Sequence, residues 1–319
     1  MSVTVERFDP ARRGDASRLR ASSGSGRAEL FRALGVLCES PLPGHARIAG
    51  ALGLPGVPDP AEYAAVFLFQ SYPYASVHLG AEGMLGGEAR DRVAGFWRAI
   101  GLVPPAEPDH LAALLGLYAI LLDAEASEPD EARLLLRREA RRALLWEHLL
   151  SWTLPYLAKL REIAGPYHRA WAGLLERALL DEAAELPTPE RLPLHLRSAP
   201  ALPEPDASAD EWVAAILAPV RSGMVIVRGD VASAARELGL AFRMGERAYA
   251  LRALFQQDAP ATLAWLSTEA TAWIARHEAT EPVLGHIAGF WLGRAEATMA
   301  ALANPWAAAA MAETMGDPA

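Results

Sequence analysis

The sequence predicts an all-α protein. The chain has 319 residues, of which 52% are hydrophobic and 22% charged, and this balance fits a globular chain with a substantial core. Alanine, leucine and arginine dominate while β-branched residues are sparse, which favours helix over strand. Apolar residues also recur three and four positions apart along most of the chain, as amphipathic helices require. Only the run Met224–Val227 has a strand-like composition.

The chain opens with a polar segment, residues 1–26, which lacks apolar periodicity and is predicted to be a flexible tail. Its Arg12-Arg13 pair is followed by a polar stretch, so it is not predicted to be a twin-arginine export signal. Between Arg27 and Leu186 the apolar spacing predicts about eight helices. Cys38, the single cysteine, lies on the apolar side of the first helix and is predicted to be a small buried hydrophobe.

Capping and breaking residues mark the helices that follow. A helix with an amphipathic stripe ends at Gly101, as helices often end on glycine. Asp109 is placed to cap the next helix, which is predicted to begin two residues later. Further helices are predicted to begin near Asp130 and after the break at Gly165-Pro166.

The second part of the chain is predicted to be a separate helical block. Six prolines between Pro187 and Pro205 indicate a linker over residues 187–208. Residues 209–303 are predicted to form a helical extension, and residues 304–319 a second flexible tail. The later helices of the extension are expected near residues 231–238, 246–257, 261–277 and 283–302.

Composition and missing signatures exclude several classes of function. The formal charge of −9 gives no indication of a nucleic-acid partner, and no apolar run reaches membrane-spanning length. A single cysteine allows neither an intrachain disulfide nor a thiolate zinc cluster, which fits the cytoplasm. Phosphate-binding loops, nucleophile elbows and paired helical histidines are missing from the sequence. We therefore predict neither an enzyme nor a bound cofactor or metal.

The cluster Glu107-Pro108-Asp109-His110 is the best candidate for chemistry, and three interpretations of it are open. As a metal site it is too crowded, because metal ions need three or four well-spread ligands. As a structural feature, its acids favour the positive end of the following helix and Asp109 caps it. As a binding site, the same helix end beside a groove could take up an arginine-bearing peptide.

Residues 225–257 offer an alternative function. The segment from Val231 to Leu240 has the small-residue and glycine rhythm of a helix-turn-helix, which would make the protein a helical DNA-binding regulator. Against this alternative, the segment after Gly245 has an amphipathic core pattern with few base-reading side chains.

Six motifs occur in order over about residues 28–186. They are Pro73-Tyr74-x-Ser76-Val77-x-Leu79, Glu82-Gly83-x-Leu85-x-Gly87, Phe96-Trp97-x-x-x-Gly101-Leu102, Glu107-Pro108-Asp109-His110-Leu111, His148-Leu149-Leu150-x-Trp152 and Gly165-Pro166-Tyr167-x-Arg169-Ala170. In this order they resemble the TorD/DmsD/NarJ family of dedicated cytoplasmic chaperones for exported molybdenum enzymes. The resemblance implies a helical bundle of the TorD-like type over residues 27–186, with a hinge near residues 101–110.

The resemblance also implies a partner and a site. The partner would be the catalytic subunit of a molybdopterin-containing oxidoreductase, bound through its twin-arginine leader or as the apoenzyme until its cofactor is inserted. By position, the leader-binding region would be lined or bordered by Tyr74, Gly101, Leu102, Glu107, Asp109 and His110. Tyr72 joins this set because the two tyrosines that flank Pro73 are expected to stay partly exposed.

Two further expectations concern assembly. A short connection between helical halves permits either a monomer or a domain-swapped dimer. The common family core does not include the block after Pro187, so this block either extends the chaperone surface or adds another function.

Overall fold

The computed structural model describes residues 25–304. Every regular element in that range is a helix, and no strand occurs among these residues, so the all-α prediction is confirmed. Of the two predicted tails, residues 1–24 and 305–319 lie outside the described range.

Within the described range, nine helices form the first half of the chain, here called the first lobe. In chain order they are α1 (residues 25–36), α2 (His45–Ala51), α3 (Pro60–Tyr63), α4 (Ala75–Leu79), α5 (Gly87–Ala99), α6 (Leu111–Ser127), α7 (Glu131–Ala143), α8 (Thr153–Ile163) and α9 (Pro166–Glu185). A π-helical turn continues α3 over Ala64–Leu68, and another continues α7 over Leu144–Leu149. The sequence pattern misses α4, because a helix of five residues is too short to show a period.

The first lobe packs around large aromatic side chains. Trp146, Trp152 and Trp171 are fully buried. The Trp171 Nε1–H donates to the Leu34 carbonyl at 3.1 Å, which fastens α9 to α1. Cys38 is buried as predicted, and burial raises the pKa of its thiol. Each of these rings buries about 150–250 Å², so the aromatic side chains contribute strongly to the core.

A buried charge network fastens α1, α6, α7 and α9 to one another. The Arg141 guanidinium donates to one Glu182 oxygen at 2.6 Å and to the Tyr118 hydroxyl at 3.1 Å. Arg27 donates to the other Glu182 oxygen at 2.6 Å, and Glu125 accepts from Arg141 at 2.6 Å. Burial first, and then the Glu182 charge, raise the pKa of Tyr118, so its hydroxyl remains a donor. Such a network holds four helices in one arrangement because each charge depends on its neighbours.

Between residues 187 and 304 the chain forms seven helices. They are α10 (Leu194–Arg197), α11 (Ala209–Leu217), α12 (Pro219–Ser222), α13 (Arg228–Glu237), α14 (Arg247–Gln257), α15 (Ala259–Leu284) and α16 (His286–Leu302). The four predicted late helices all occur, although α15 continues seven residues beyond its predicted end at residue 277. Asp258 caps α15 by accepting the Ala261 N–H at 2.9 Å.

The proline-rich segment, residues 187–208, runs along the surface and accepts hydrogen bonds from arginines. Arg92 of α5 donates to the Ser198 hydroxyl at 2.6 Å. Arg294 of α16 donates to the Ala199 carbonyl at 2.9 Å. Guanidinium groups from both halves of the chain therefore hold this segment in place through its own polar atoms.

The later helices also pack directly against the first lobe. The Trp291 Nε1–H of α16 donates to the Ser151 carbonyl at 3.0 Å, and the Trp291 side chain belongs to the first lobe's apolar core. Lys159 of α8 is fully buried, and its ammonium lies 3.0 Å from the Asp230 carboxylate of α13. Burial is the main influence on Asp230 and raises its pKa, against the lowering effect of Lys159.

The strand-like run Met224–Val227 is an extended, buried connection between α12 and α13. Its apolar side chains fill the core that α11, α13 and α14 share. Gly223 precedes it in the left-handed region, with a φ of 73°. A Cβ at this position would lie 2.3 Å from the Ala295 backbone nitrogen of α16, so only glycine lets the two backbones approach so closely.

Candidate functional site

Segments 73–77 and 107–111 of the first lobe meet as an isolated antiparallel bridge. The Ala75 N–H donates to the Asp109 carbonyl at 3.0 Å, and the Leu111 N–H donates to the Pro73 carbonyl at 2.8 Å. The bridge joins the start of α4 to the start of α6. Two of the six sequence motifs are therefore in direct contact, at the joint between the helical halves of the lobe.

The Asp109 carboxylate is buried at this joint and caps α4. Its Oδ2 accepts the Ser76 N–H, in the first turn of α4, at 3.1 Å. The cap of α6 is His110, whose Nδ1 accepts the Ala112 N–H at 3.1 Å. The prediction that Asp109 caps the helix after it is wrong, because the bridge turns its carboxylate toward the free N–H groups of a neighbouring helix.

His110 is half-buried and acts as a neutral acceptor. Burial lowers the pKa of its imidazole and outweighs the opposing effects of Glu107, Glu39 and Asp109. A neutral ring keeps the lone pair that the α6 cap requires. The ring also packs edge-on against Tyr74, with 4.7 Å between ring centroids.

Beside the joint lies an open groove of about 700 Å³, here called the acidic groove. Its charged lining residues are Glu39, from the turn after α1, and Glu107. No lysine or arginine occurs among the described residues that line it. The largely buried side chains of Trp97 and Leu117 lie behind its wall, and the side chain of Ile120 is 47% exposed at its edge. The groove therefore combines negative charge with apolar and aromatic walls.

Tyr74 gives the groove a hydroxyl donor. Burial is the main cause that raises the pKa of Tyr74, followed by its hydrogen bond to Glu107 and the negative charges of Glu107 and Asp109. The hydroxyl therefore stays protonated at neutral pH and holds the Glu107 carboxylate at the groove wall. The remaining carboxylate lone pairs are available to a donor from outside.

The predicted site residues divide into four groups. Tyr74, Glu107 and His110 line the acidic groove, whereas Asp109 lies behind it at the joint. Gly101 and Leu102 begin the loop whose later residues form the rim. Gly101 has a φ of 82°, which ends α5 as predicted. Tyr72 is 38% exposed but does not line the groove.

Sequence reasoning missed part of the groove. Glu39 was not singled out, and neither was the small-residue face of α6 formed by Ala112, Ala113 and Gly116. These three residues leave room above α6 because they have little or no side chain. The sequence does contain a signal for this face. Small residues recur three and four positions apart along α6, and the exposed Ile120 follows on the same side of the helix.

Metal binding and membrane insertion gain no support from the geometry. No group of three or more histidine, cysteine or acidic side chains among residues 25–304 is arranged to hold a metal ion. Every helix in the same range is either too short or too polar to cross a bilayer.

The helix-turn-helix alternative gains no support either. Nine residues separate α13 from α14, whereas helix-turn-helix motifs use three or four. The arginines of α14 are engaged within the protein: Arg247 donates to the Ile226 carbonyl at 2.5 Å, and Arg252 pairs with Asp210 at 2.5 Å.

Residues 60–157 match the family model described as nitrate reductase delta subunit. The matched range contains the joint and every groove residue named above except Glu39. A comparison with curated proteins gave no match. The family match confirms the resemblance that the ordered motifs predicted.

Proposed function

We propose that the chain belongs to the nitrate reductase delta subunit family, whose members are maturation chaperones of molybdoenzymes, and that it serves one such enzyme in the cytoplasm. In this proposal it binds the leader peptide, the apo form, or both, of a molybdopterin-containing catalytic subunit. It holds this client until the cofactor is inserted and the enzyme is ready for export. We propose no catalytic role and no cofactor of its own.

The composition of the acidic groove carries this proposal. A twin-arginine leader combines adjacent guanidinium groups with an apolar segment. Glu107 and Glu39 offer carboxylates to the guanidinium groups, which bind carboxylates in two-pronged hydrogen-bonded pairs. Ile120, whose side chain is 47% exposed, and the small residues of α6 beside it offer the apolar segment a surface to cover. The groove thus pairs both parts of a leader with complementary surface.

Peptide calorimetry tests the proposal. Leader peptides from molybdoenzymes encoded near this gene should bind with a Kd on the order of 1 μM, equivalent to about −8 kcal/mol. A matched peptide with glutamines in place of the two arginines should bind more weakly. If neither any leader nor the full apoenzyme binds, the proposal is wrong.

A charge-removing variant locates the binding site. Glu107→Gln should weaken leader binding by up to about fivefold, the effect of a solvent-accessible ion pair worth about 0.2–1 kcal/mol. Glu278→Gln is the matched control, because Glu278 is exposed on α15 and lies outside the groove. Equal affinities for the two variants would place the leader elsewhere.

The C-terminal block, residues 209–303, is proposed to enlarge the chaperone surface. Its helix α16 shares the core of the first lobe through Trp291, and α13 reaches Lys159 through Asp230. We further propose that the chain divides into a chaperone domain at 27–186, a linker at 187–208 and this block. A monomer or a domain-swapped dimer remains compatible with it, and light scattering distinguishes the two.

A further inference from the structure

A second groove, opposite in charge to the first, lies where α8, α9 and α15 meet. It has a volume of about 600 Å³ and is here called the arginine groove. It is lined by four arginines, one acidic side chain and three residues with little or no side chain: Arg161, Arg169, Arg177, Arg276, Glu162, Ala158, Ala170 and Gly173. The formal charge of the whole chain is −9, so this cluster of positive charge runs against the balance of the protein.

Two of the four arginines are paired with carboxylates of the protein. Arg161 of α8 pairs with Glu176 of α9, and Arg276 of α15 donates to Glu162 at 2.8 Å. The Arg276 guanidinium also lies over the Trp273 ring, 4.6 Å from its centroid. Its buried Nη1 has no hydrogen-bond partner among the described residues. Arg276 is thus held in one position by part of its donors only.

The other two arginines, both on α9, carry positive charge that no carboxylate offsets. Arg169 donates to two backbone carbonyls, those of Arg161 and Ala164, both at 3.0 Å. Arg177 is exposed and makes no ion pair or hydrogen bond with other residues in the range 25–304. A guanidinium has five N–H donors, so Arg169 also keeps donors free. Both cations are therefore available to an anion from outside.

The spacing of these two cations indicates the kind of anion that fits. Arg169 and Arg177 are eight residues apart on α9, which is about 12 Å along the helix. Both side chains lean towards the amino end of α9, since Arg169 reaches the Ala164 carbonyl and Arg177 lies over Gly173. The two guanidinium groups therefore remain about 12 Å apart. One phosphate or one carboxylate cannot contact both, because hydrogen bonds span only about 3 Å.

An extended polypeptide meets this spacing. Its side chains face one side at every second residue, and four residues span about 13 Å. Two acidic side chains four positions apart therefore match Arg169 and Arg177. Between these arginines, Ala170 and Gly173 let a bound backbone approach the helix closely. A single-stranded nucleic acid is a poorer match, because the described lining has no aromatic side chain on which bases could stack.

We propose that the arginine groove binds an acidic, extended segment of a protein partner. Arg169 and Arg177 pair with two of its carboxylates in the two-pronged geometry that guanidinium groups favour. Arg276 belongs to the C-terminal block, so the groove has its full lining only when this block is packed on the first lobe. The site is separate from the acidic groove and does not depend on leader binding.

Fluorescence anisotropy with a labelled peptide tests the proposal at low ionic strength, where attraction between exposed charges is strongest. The probe is a peptide of four glutamate–serine pairs, and its control has glutamine in place of every glutamate. Arg169→Gln with Arg177→Gln should weaken binding of the acidic peptide by between about twofold and about 25-fold, because each exposed ion pair contributes up to about fivefold. Arg133→Gln with Arg138→Gln is the matched control, since both arginines are exposed on α7 and outside the groove.

Gly173→Leu tests the groove without a change in charge. Its Cβ would contact only Arg177 Nη1, at 3.7 Å, and its side chain would fill the space between the two arginines. Leucine is a better helix former than glycine, so the Tm should stay the same or rise. Peptide binding should nevertheless weaken about as much as in the α9 double variant. Gly95→Leu, the same change in open space on α5, should leave binding unchanged.

Four outcomes would overturn the inference. The first is an acidic peptide that does not bind, or binds no better than its glutamine control. The second is equal weakening by the α7 and α9 double variants, which would show general attraction to positive charge. The third is an affinity that Gly173→Leu leaves unchanged. The fourth is a different ligand: displacement of the peptide by inorganic phosphate at matched ionic strength, or tighter binding of a single-stranded oligonucleotide that responds to the same variants.

Leader titrations separate this inference from the proposed function. None of the four arginines lines the acidic groove, so the α9 double variant should bind a leader as tightly as the natural protein does. A protein that binds the acidic peptide in the expected way but binds no leader would support this inference and refute the proposed function.

Discussion

Replacement of Asp109 by alanine should destabilise the first lobe, because the carboxylate is a structural cap. Its Oδ2 accepts the Ser76 N–H at 3.1 Å, and the residue is 1% exposed. Without it, the Ser76 N–H stays buried and unpaired, which costs about 1–3 kcal/mol. For a domain of 150–250 residues this loss corresponds to about 2–4 °C of Tm for each kcal/mol.

Two substitutions at the same position separate the cap from other roles of the side chain. Asp109→Asn keeps an oxygen that can accept the Ser76 N–H but loses the charge, so its cost should fall below that of Asp109→Ala. Urea unfolding followed by far-ultraviolet circular dichroism measures both. The midpoint should be lowest for Asp109→Ala, intermediate for Asp109→Asn and highest for the natural protein.

Glu107 provides the contrasting case, since it is exposed at the groove wall. Glu107→Gln should change the unfolding free energy by less than about 0.5 kcal/mol while it weakens leader binding. Our reasoning would be refuted if Asp109→Ala unfolded like the natural protein but lost leader binding. The Asp109 carboxylate would then contact the leader and not the helix.

Three further outcomes follow from other parts of the fold. Glu182→Gln should destabilise the protein by up to about 3–5 kcal/mol in urea unfolding, because the buried Arg141 then keeps only Glu125 as an anionic partner. Gly223→Ala should cost several kcal/mol more than Gly239→Ala, since both glycines have a positive φ but only Gly223 faces a backbone atom at 2.3 Å; equal costs would contradict the close approach. Burial first, and then His195, lower the pKa of His148 to about 3. Between about pH 6.5 and 3, His148 therefore binds a proton in the unfolded chain but not in the folded one, so the free energy of unfolding falls as the pH falls. His148→Phe should reduce the slope of the unfolding free energy against pH by up to about 1.4 kcal/mol per pH unit.

The sequence was sufficient for the helices because their signals are local. Gly101 ends α5 and Asp258 caps α15 as predicted, since each effect involves residues within one turn of the helix end. The run Met224–Val227 shows the limit of such reasoning. Its composition suits a strand, but a strand needs a neighbouring strand to pair with, and this run packs among helices instead.

The candidate site was predictable only where it follows the sequence motifs. Glu107 and His110 were found because their motif is compact. Glu39 was missed because it reaches the groove through the packing of α1 against α6, which no spacing in the sequence reveals. Asp109 was assigned to the wrong helix for a similar reason, since its partner Ser76 lies 33 residues away.

The contact between Trp291 and Ser151 has a consequence for synthesis on the ribosome. Trp291 completes the core of the first lobe, yet it is made about 105 residues after Leu186, the end of that lobe. At about 5–20 residues per second this interval lasts about 5–20 s. During that time the nascent chain exposes the surface that α16 later covers. The first lobe therefore lacks part of its core for several seconds at every round of translation.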